Sequence, residues 1–280
     1  MPVRQAVTVC VLGASMLFLA GCTAPPGSSH PGASRAARTQ PSVSAKLVPP
    51  PARVPGGRAR PHGRRYPLHT GIVATTFWIG EIFDPRAPDG SQVISTYDAR
   101  WMPHYGGCDG VVTDGTCQTQ RRVAANGFFP TRMTPRENPF YLDLPFDDVN
   151  NAAAFSQRAQ VIPWADDRGY AGHAHDPSFS YMKNRWVKLM RDGRTCYGQI
   201  EDAGPGVYDD YRYVFGTGNS RPASRLYNGA GLDVSPALTG CLGFSEVNGD
   251  DNRVDWQFAD AAGVPPGPWT RLVTTQGVSE

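Results

Sequence analysis

The sequence predicts one mainly β domain, a barrel with long loop insertions and a few short helices. Three observations predict it. Runs of strand composition recur from residue 67 onward, with β-branched and aromatic residues between turn signals. An Asp-Gly dipeptide joins two of these runs as a hairpin. Glycine and proline are abundant, at 31 and 26 of 280 residues, while helical periodicity is scarce.

The elements follow in order. Residues 72–83 (IVATTFWIGEIF) and 93–97 (VISTY) read as strands. Trp186-Val187-Lys188-Leu189 runs into the turn Arg191-Asp192-Gly193-Arg194, and Cys196-Tyr197-Gly198-Gln199-Ile200 returns as its partner. Residues 254–258 (VDWQF) alternate as a late strand, and 269–274 (WTRLVT) form another. Residues 151–160 (NAAAFSQRAQ) and 235–238 are the expected short helices. Residues 138–184 form a long irregular insertion, and a loop of that length in a compact domain is usually functional or decorates a cleft.

The formal charge of +2 conceals a partition. Residues 1–66 contain no Asp or Glu, and eight basic residues between Thr23 and Tyr66 give that stretch +8. Residues 67–280 hold 18 basic and 25 acidic groups and carry −7; Arg4 completes the total. Such a balance excludes a nucleic-acid binder that works by bulk charge. A single apolar run, residues 6–20, excludes a polytopic membrane protein. That run follows Arg4 and ends in Leu19-Ala20-Gly21-Cys22, so residues 1–21 read as a secretory signal peptide. Residues 22–66, rich in Pro, Ser, Ala and Arg, read as a disordered basic linker. The folded domain is expected at 67–280, with its core at about 93–260.

Of six cysteines, Cys10 lies within the signal and Cys22 at its end. Cys108, Cys117, Cys196 and Cys241 remain, an even number that in an exported chain reads as two disulfides. Three pairings are open, and the favoured one joins Cys108 to Cys117 and Cys196 to Cys241. No pair has the close spacing of a zinc site. His173-Ala174-His175-Asp176 is the one dense ligand-like cluster; without further ligands at a characteristic spacing it reads as a polar loop. No metal and no cofactor is expected, and no phosphate-binding or nucleophile-elbow motif is present.

Glu201-Asp202-Ala203-Gly204-Pro205-Gly206 follows the hairpin. After a variable loop come Gly231-Leu232-Asp233-Val234-Ser235-Pro236-Ala237-Leu238 and then Leu242-Gly243. Upstream stand Ser95-Thr96-Tyr97, Gly106-Gly107-Cys108-Asp109-Gly110 and Ala125-Asn126-Gly127. In this order the segments resemble double-psi β-barrel domains of the rare-lipoprotein-A, expansin, barwin and family 45 endoglucanase group, over roughly residues 93–260. Leu19-Ala20-Gly21-Cys22 similarly resembles the lipobox of bacterial lipoproteins, which implies lipidation at Cys22.

The resemblance implies a six-stranded double-psi barrel with a groove that faces cell-wall polysaccharide. It places the general acid of the glycan-cleaving members at Asp233, with Asp202 near the same groove. Where rare-lipoprotein-A proteins carry a His, residues 133–137 carry none; where expansins have His-Phe before the Asp, Gly231-Leu232 stands. Glu137 is a stand-in candidate for the His as proton carrier.

The chemistry also follows from the residues. Cleaving a glycosidic bond needs a protonated carboxyl beside the leaving oxygen. Leu232 and Val234 give Asp233 an apolar surround, and a second carboxylate, Asp202 or Asp98, raises its pKa further. Both Asp202 and Asp233 are expected to open onto one groove. Two carboxyls about 6.5–9.5 Å apart would suit an inverting hydrolase. A lone acid suits a lytic transglycosylase. The competing roles are structural: Asp202 as a turn holder and Asp233 as a helix cap. Trp101 and Trp164 are expected as sugar platforms, with Tyr97 and Glu137 lining the site. The sequence-level expectation is therefore a lipid-anchored, extracytoplasmic, monomeric protein. It acts on cell-wall polysaccharide such as peptidoglycan by acid-assisted cleavage, or binds or loosens the wall without catalysis.

Overall fold

The computed structural model describes residues 65–86, 90–246 and 251–279. The expected signal peptide, Cys22 and nearly all of the basic linker lie outside the described residues. The domain is mainly β, a closed six-stranded barrel with four short helices.

The strands are β1 (His69–Thr76), β2 (Val111–Thr113), β3 (Thr116–Gln118), β4 (Tyr141–Leu144), β5 (Trp186–Arg191), β6 (Arg194–Ala203), β7 (Leu232–Val234) and β8 (Arg253–Ala259). The barrel closes in the order β1-β7-β4-β6-β5-β8, while β2 and β3 form a separate hairpin. β1·β7 and β4·β6 are parallel pairs; the remaining barrel pairs are antiparallel. The helices are α1 (Trp101–Tyr105), α2 (Ala152–Val161), α3 (Tyr211–Val214) and α4 (Pro236–Leu242).

The β5–β6 hairpin forms where Asp192-Gly193 predicts it. Both residues take positive φ, 48° and 75°, as a two-residue turn matched to strand twist requires. β8 buries Val254, Trp256 and Phe258 and turns Arg253, Asp255 and Gln257 outward. α2 starts because Asn151 accepts from the N–H groups of Ala153 and Ala154. α4 starts with Ser235, whose hydroxyl accepts from Leu238 N, followed by Pro236 in the first turn.

Five sequence expectations need correction. The irregular insertion 138–184 contains β4, a barrel strand whose four residues are all buried. Tyr141-Leu142-Asp143-Leu144 lies between a parallel neighbour, β6, and an antiparallel one, β7, and is buried on both faces, so it has no exposed side from which alternation could be read. The barrel also begins before residue 93, at β1. Residues 77–83 leave the sheet because Phe77 and Ile79 pack with Trp101, Tyr105 and Tyr141 in a second, smaller core. Residues 93–97 make turns and a single bridge, Ser95 to Asp98, and 269–274 contain a 3-10 turn in place of a strand.

The arch between β4 and β5 is ordered by one side chain. Arg158, fully buried on α2, donates to the carbonyls of Asp148, His173, Ala174, Asp176 and Phe179. Asp148 accepts from Ser180 Oγ and Tyr181 N, both at 2.6 Å. Disulfides join Cys108 to Cys117 and Cys196 to Cys241. The second ties α4 to β6 across 45 residues. Replacing both of its cysteines with Ser is expected to cost about 4 kcal/mol in a urea titration, by the entropy of the opened loop. An unchanged midpoint would refute that estimate.

Candidate functional site

Strand alternation builds the site. Leu232 and Val234 are fully buried in the barrel core, so Asp233 between them faces the other way. The same holds for Thr75 beside Ala74 on β1. In register, Thr75 pairs with Asp233 and Asp143 pairs with Asp202. The strand order β1-β7-β4-β6 thus sets Thr75, Asp233, Asp143 and Asp202 in one row across four neighbouring strands.

Hydrogen bonds lock the row. The Thr75 hydroxyl donates to Asp233 Oδ1. Asp233 N–H donates to Asp143 Oδ1 at 2.7 Å, and the two carboxyls also bond to each other. Asp202 Oδ1 accepts from Thr96 N at 2.7 Å and Ala203 N at 2.8 Å. Gly204 stands over the pair: a Cβ there would lie 2.6 Å from Asp143 Oδ2 and 3.6 Å from Asp233 Oδ2. Any larger residue would press on the dyad.

The electrostatics favour protonation. Burial pushes Asp233 up to about 7, reinforced by the charges of Glu81 and Asp202. Burial, then Asp233 and Asp202, raises Asp143 well above the ordinary carboxylate range. Burial lifts Asp202 to about 6, against the two backbone N–H groups that hold its charge. Glu81 is raised to about 7, again by burial. Asp143 is 3 % exposed and Asp202 6 %, whereas Asp233 keeps a solvent opening despite dense surroundings. Two contacting carboxyls in such a setting hold one proton between them.

Raised carboxyl pKa values lower stability as pH rises. Between about pH 4 and 7 the folded state holds protons that the unfolded state has released, so unfolding is progressively favoured. Asp233→Asn is therefore expected to raise the melting temperature at pH 7.5 and to leave it unchanged near pH 3.5. A lower melting temperature at pH 7.5 would contradict this.

The structure distributes the sequence candidates unevenly. Asp233 and Asp202 are brought together, but Asp202 does not open onto a groove: it is buried under the Thr96 backbone, as the turn-holding alternative anticipates. Asp233 does not cap α4, since Ser235 does. Asp98 belongs elsewhere, buried and bonded to His104 Nδ1 at 2.7 Å. Glu137, also buried, is pushed up to about 7 by desolvation and then by Glu201, in a second polar cluster with Lys183 and Asp98.

Trp101, Trp164 and Tyr97 are each at most 1 % exposed, so no ring face is open to a sugar. Trp101 and Trp164 carry core contacts that their charged sequence neighbours hid. Among the described residues, the exposed Phe and Tyr rings are Phe83, Tyr208 and Tyr227. They lie on the segments that carry Glu81, follow Gly204 and precede Asp233.

Sequence reasoning missed Asp143, Glu81 and Thr75. An Asp inside the apolar run Tyr141–Leu144 was a usable signal for Asp143, whereas Glu81 carried none. His173 bonds Asp176 at 3.0 Å, and no group of three His, Cys, Asp or Glu among the described residues is arranged to hold a metal ion. No described helix is long and apolar enough to cross a membrane. Comparison of the chain with protein-family models, curated proteins and solved structures finds no match.

Proposed function

We propose that this protein cleaves cell-wall glycan with Asp233 as its acid, in the manner of a lytic transglycosylase. The observation that carries the reading is the Asp143–Asp233 pair: two bonded carboxyls with raised pKa values, one of them open to solvent. A pair in direct contact leaves no room for a water between its members, which disfavours the inverting geometry. It acts as one acid–base unit. Asp233 gives its proton to the leaving oxygen, the glycosidic bond breaks, and the resulting carboxylate accepts a proton from the sugar's own hydroxyl as that oxygen closes on the anomeric carbon. The proton count returns to its start, and no water is consumed. Asp202 and Glu81 raise the acid's pKa, and Thr75 orients it.

The closed barrel with two parallel pairs and two disulfides is compatible with the double-psi group that the sequence resembles. The lipobox-like Leu19–Cys22 run supports an extracytoplasmic protein anchored by lipid at Cys22, with the basic linker spanning from membrane to wall. The missing family His and the buried Asp202 favour the second reading, a wall-binding or wall-loosening module without catalysis.

The product decides between them. Purified peptidoglycan incubated with the full chain is expected to release soluble fragments ending in an anhydro sugar, 18 Da lighter than hydrolytic ends by mass spectrometry. Reducing ends would indicate hydrolysis. No release, with the protein pelleting with insoluble wall, would establish the binding reading.

A further inference from the structure

A second site lies at the far end of α4. Gln120, Arg121, Arg194, Thr239, Gly243 and Phe244 line a cavity of about 190 Å³. No carboxylate lines it. Helix C-termini attract cations, and two arginines serve that role here: Arg191 donates to Gly243 O at 2.9 Å and Arg121 to Phe244 O at 3.4 Å. Arg194 does not. Its side chain makes no hydrogen bond or ion pair among the described residues, yet its guanidinium lies against Gly243, where a methyl would coincide with it. Arg122, beneath the cavity, is neutralised by Asp109 at 2.6 Å. Arg194 is left with an unpartnered guanidinium beside Arg121, whose one bond is to a neutral carbonyl, on one concave surface.

We infer that this cavity is an oxyanion site, for a carboxylate or phosphate group carried by the wall polymer. Guanidinium groups match the planar or tetrahedral oxygens of such anions and bind them by charge-assisted hydrogen bonds. The cavity is rigid, because the Cys196–Cys241 disulfide joins its α4 wall to the strand that carries Arg194. Thr239 Oγ1 lies 3.2 Å from Thr76 Oγ1, which fixes the α4 wall of the cavity to the end of β1. The substrate-side assignment rests on the glycan reading above; the anion site itself does not.

Two measurements separate the claims. In the full chain, inorganic phosphate is expected to produce saturable shifts of the Gly243 amide and of the Arg121 and Arg194 Nε–H resonances. The R121Q/R194Q double variant, altered only at exposed side chains, is expected to bind phosphate about tenfold more weakly. Absence of saturable shifts, or equal affinity in the variant, overturns the site, whatever the protein does to glycan. Phosphate binding that is sensitive to the variant, in a protein that neither cleaves nor pellets with wall, keeps the site and discards the glycan reading. The source follows from pelleting. A weaker association of the variant with walls freed of phosphodiester polymers assigns the peptide carboxylates. A deficit that appears only when those polymers are retained assigns phosphate. Equal pelleting with both wall preparations overturns the polymer-side claim.

Discussion

Asp233→Asn is expected to reduce fragment release from peptidoglycan by about 10²–10⁴-fold, the usual weight of a general acid. The substitution keeps the Thr75 bond and the backbone bond to Asp143, so it removes the proton and little else. Wild-type activity should be high below neutrality and fall as pH rises through about 7, where Asp233 loses the proton that the leaving oxygen needs. Asp143→Asn should move that fall to lower pH. Its amide donates permanently to Asp233, which stabilises the carboxylate in place of sharing a proton with it. A variant at 233 that releases fragments at the wild-type rate, or a pH profile that Asp143→Asn leaves in place, would remove Asp233 from the acid's role. The stability gain expected of the same Asp233→Asn change at pH 7.5 guards against reading a folding defect as lost catalysis.

Arg158→Ala is expected to destabilise the domain more than any surface substitution, by at least about 4 kcal/mol. Five backbone carbonyls would lose a shared donor at once, and each buried acceptor without a partner costs about 1–3 kcal/mol unless water reaches it. The Arg158→Lys variant should recover only a fraction. An ammonium offers three donors from one point and does not reproduce the planar fork whose N–H groups reach five carbonyls around its edge. Chemical denaturation with far-ultraviolet circular dichroism measures both. A loss below about 1 kcal/mol for Arg158→Ala would show that the arch between β4 and β5 is held by its apolar contacts, with Trp164 and Tyr181 as the main anchors.

Legibility of the fold tracked local signals. The β5–β6 hairpin was readable because Asp192-Gly193 is a two-residue turn with a physical requirement for positive φ. β8 was readable from its alternation, and α2 and α4 from composition. The β2–β3 hairpin had the same kind of signal in Asp114-Gly115, whose φ values are 49° and 78°, but its three-residue strands are too short to show a period. β4 was hidden by burial on both faces. Residues 77–83 read as strand because apolar composition marks burial, not hydrogen bonding; Phe77 and Ile79 are buried in the smaller core. At the site, Asp233 and Asp202 were legible through motif order. Asp143 depended on a parallel pairing of β4 with β6, which sets it opposite Asp202, 59 residues away. No local pattern encodes such a pairing. Burial of Trp101 and Trp164 was likewise a tertiary outcome.

The row of Thr75, Asp233, Asp143 and Asp202 has a temporal consequence. Its four strands are neighbours in the barrel but far apart along the chain, and β7, which lies between β1 and β4, is the last of the four in sequence. Until β7 is seated, Asp233 sits on an open segment in water, where an aspartate is ionised at neutral pH and a poor proton donor. Asp143 and Asp202 alone hold no solvent-facing acid. The raised pKa of Asp233 therefore depends on barrel closure, and a chain in which β7 is not seated carries the residues of the row without it.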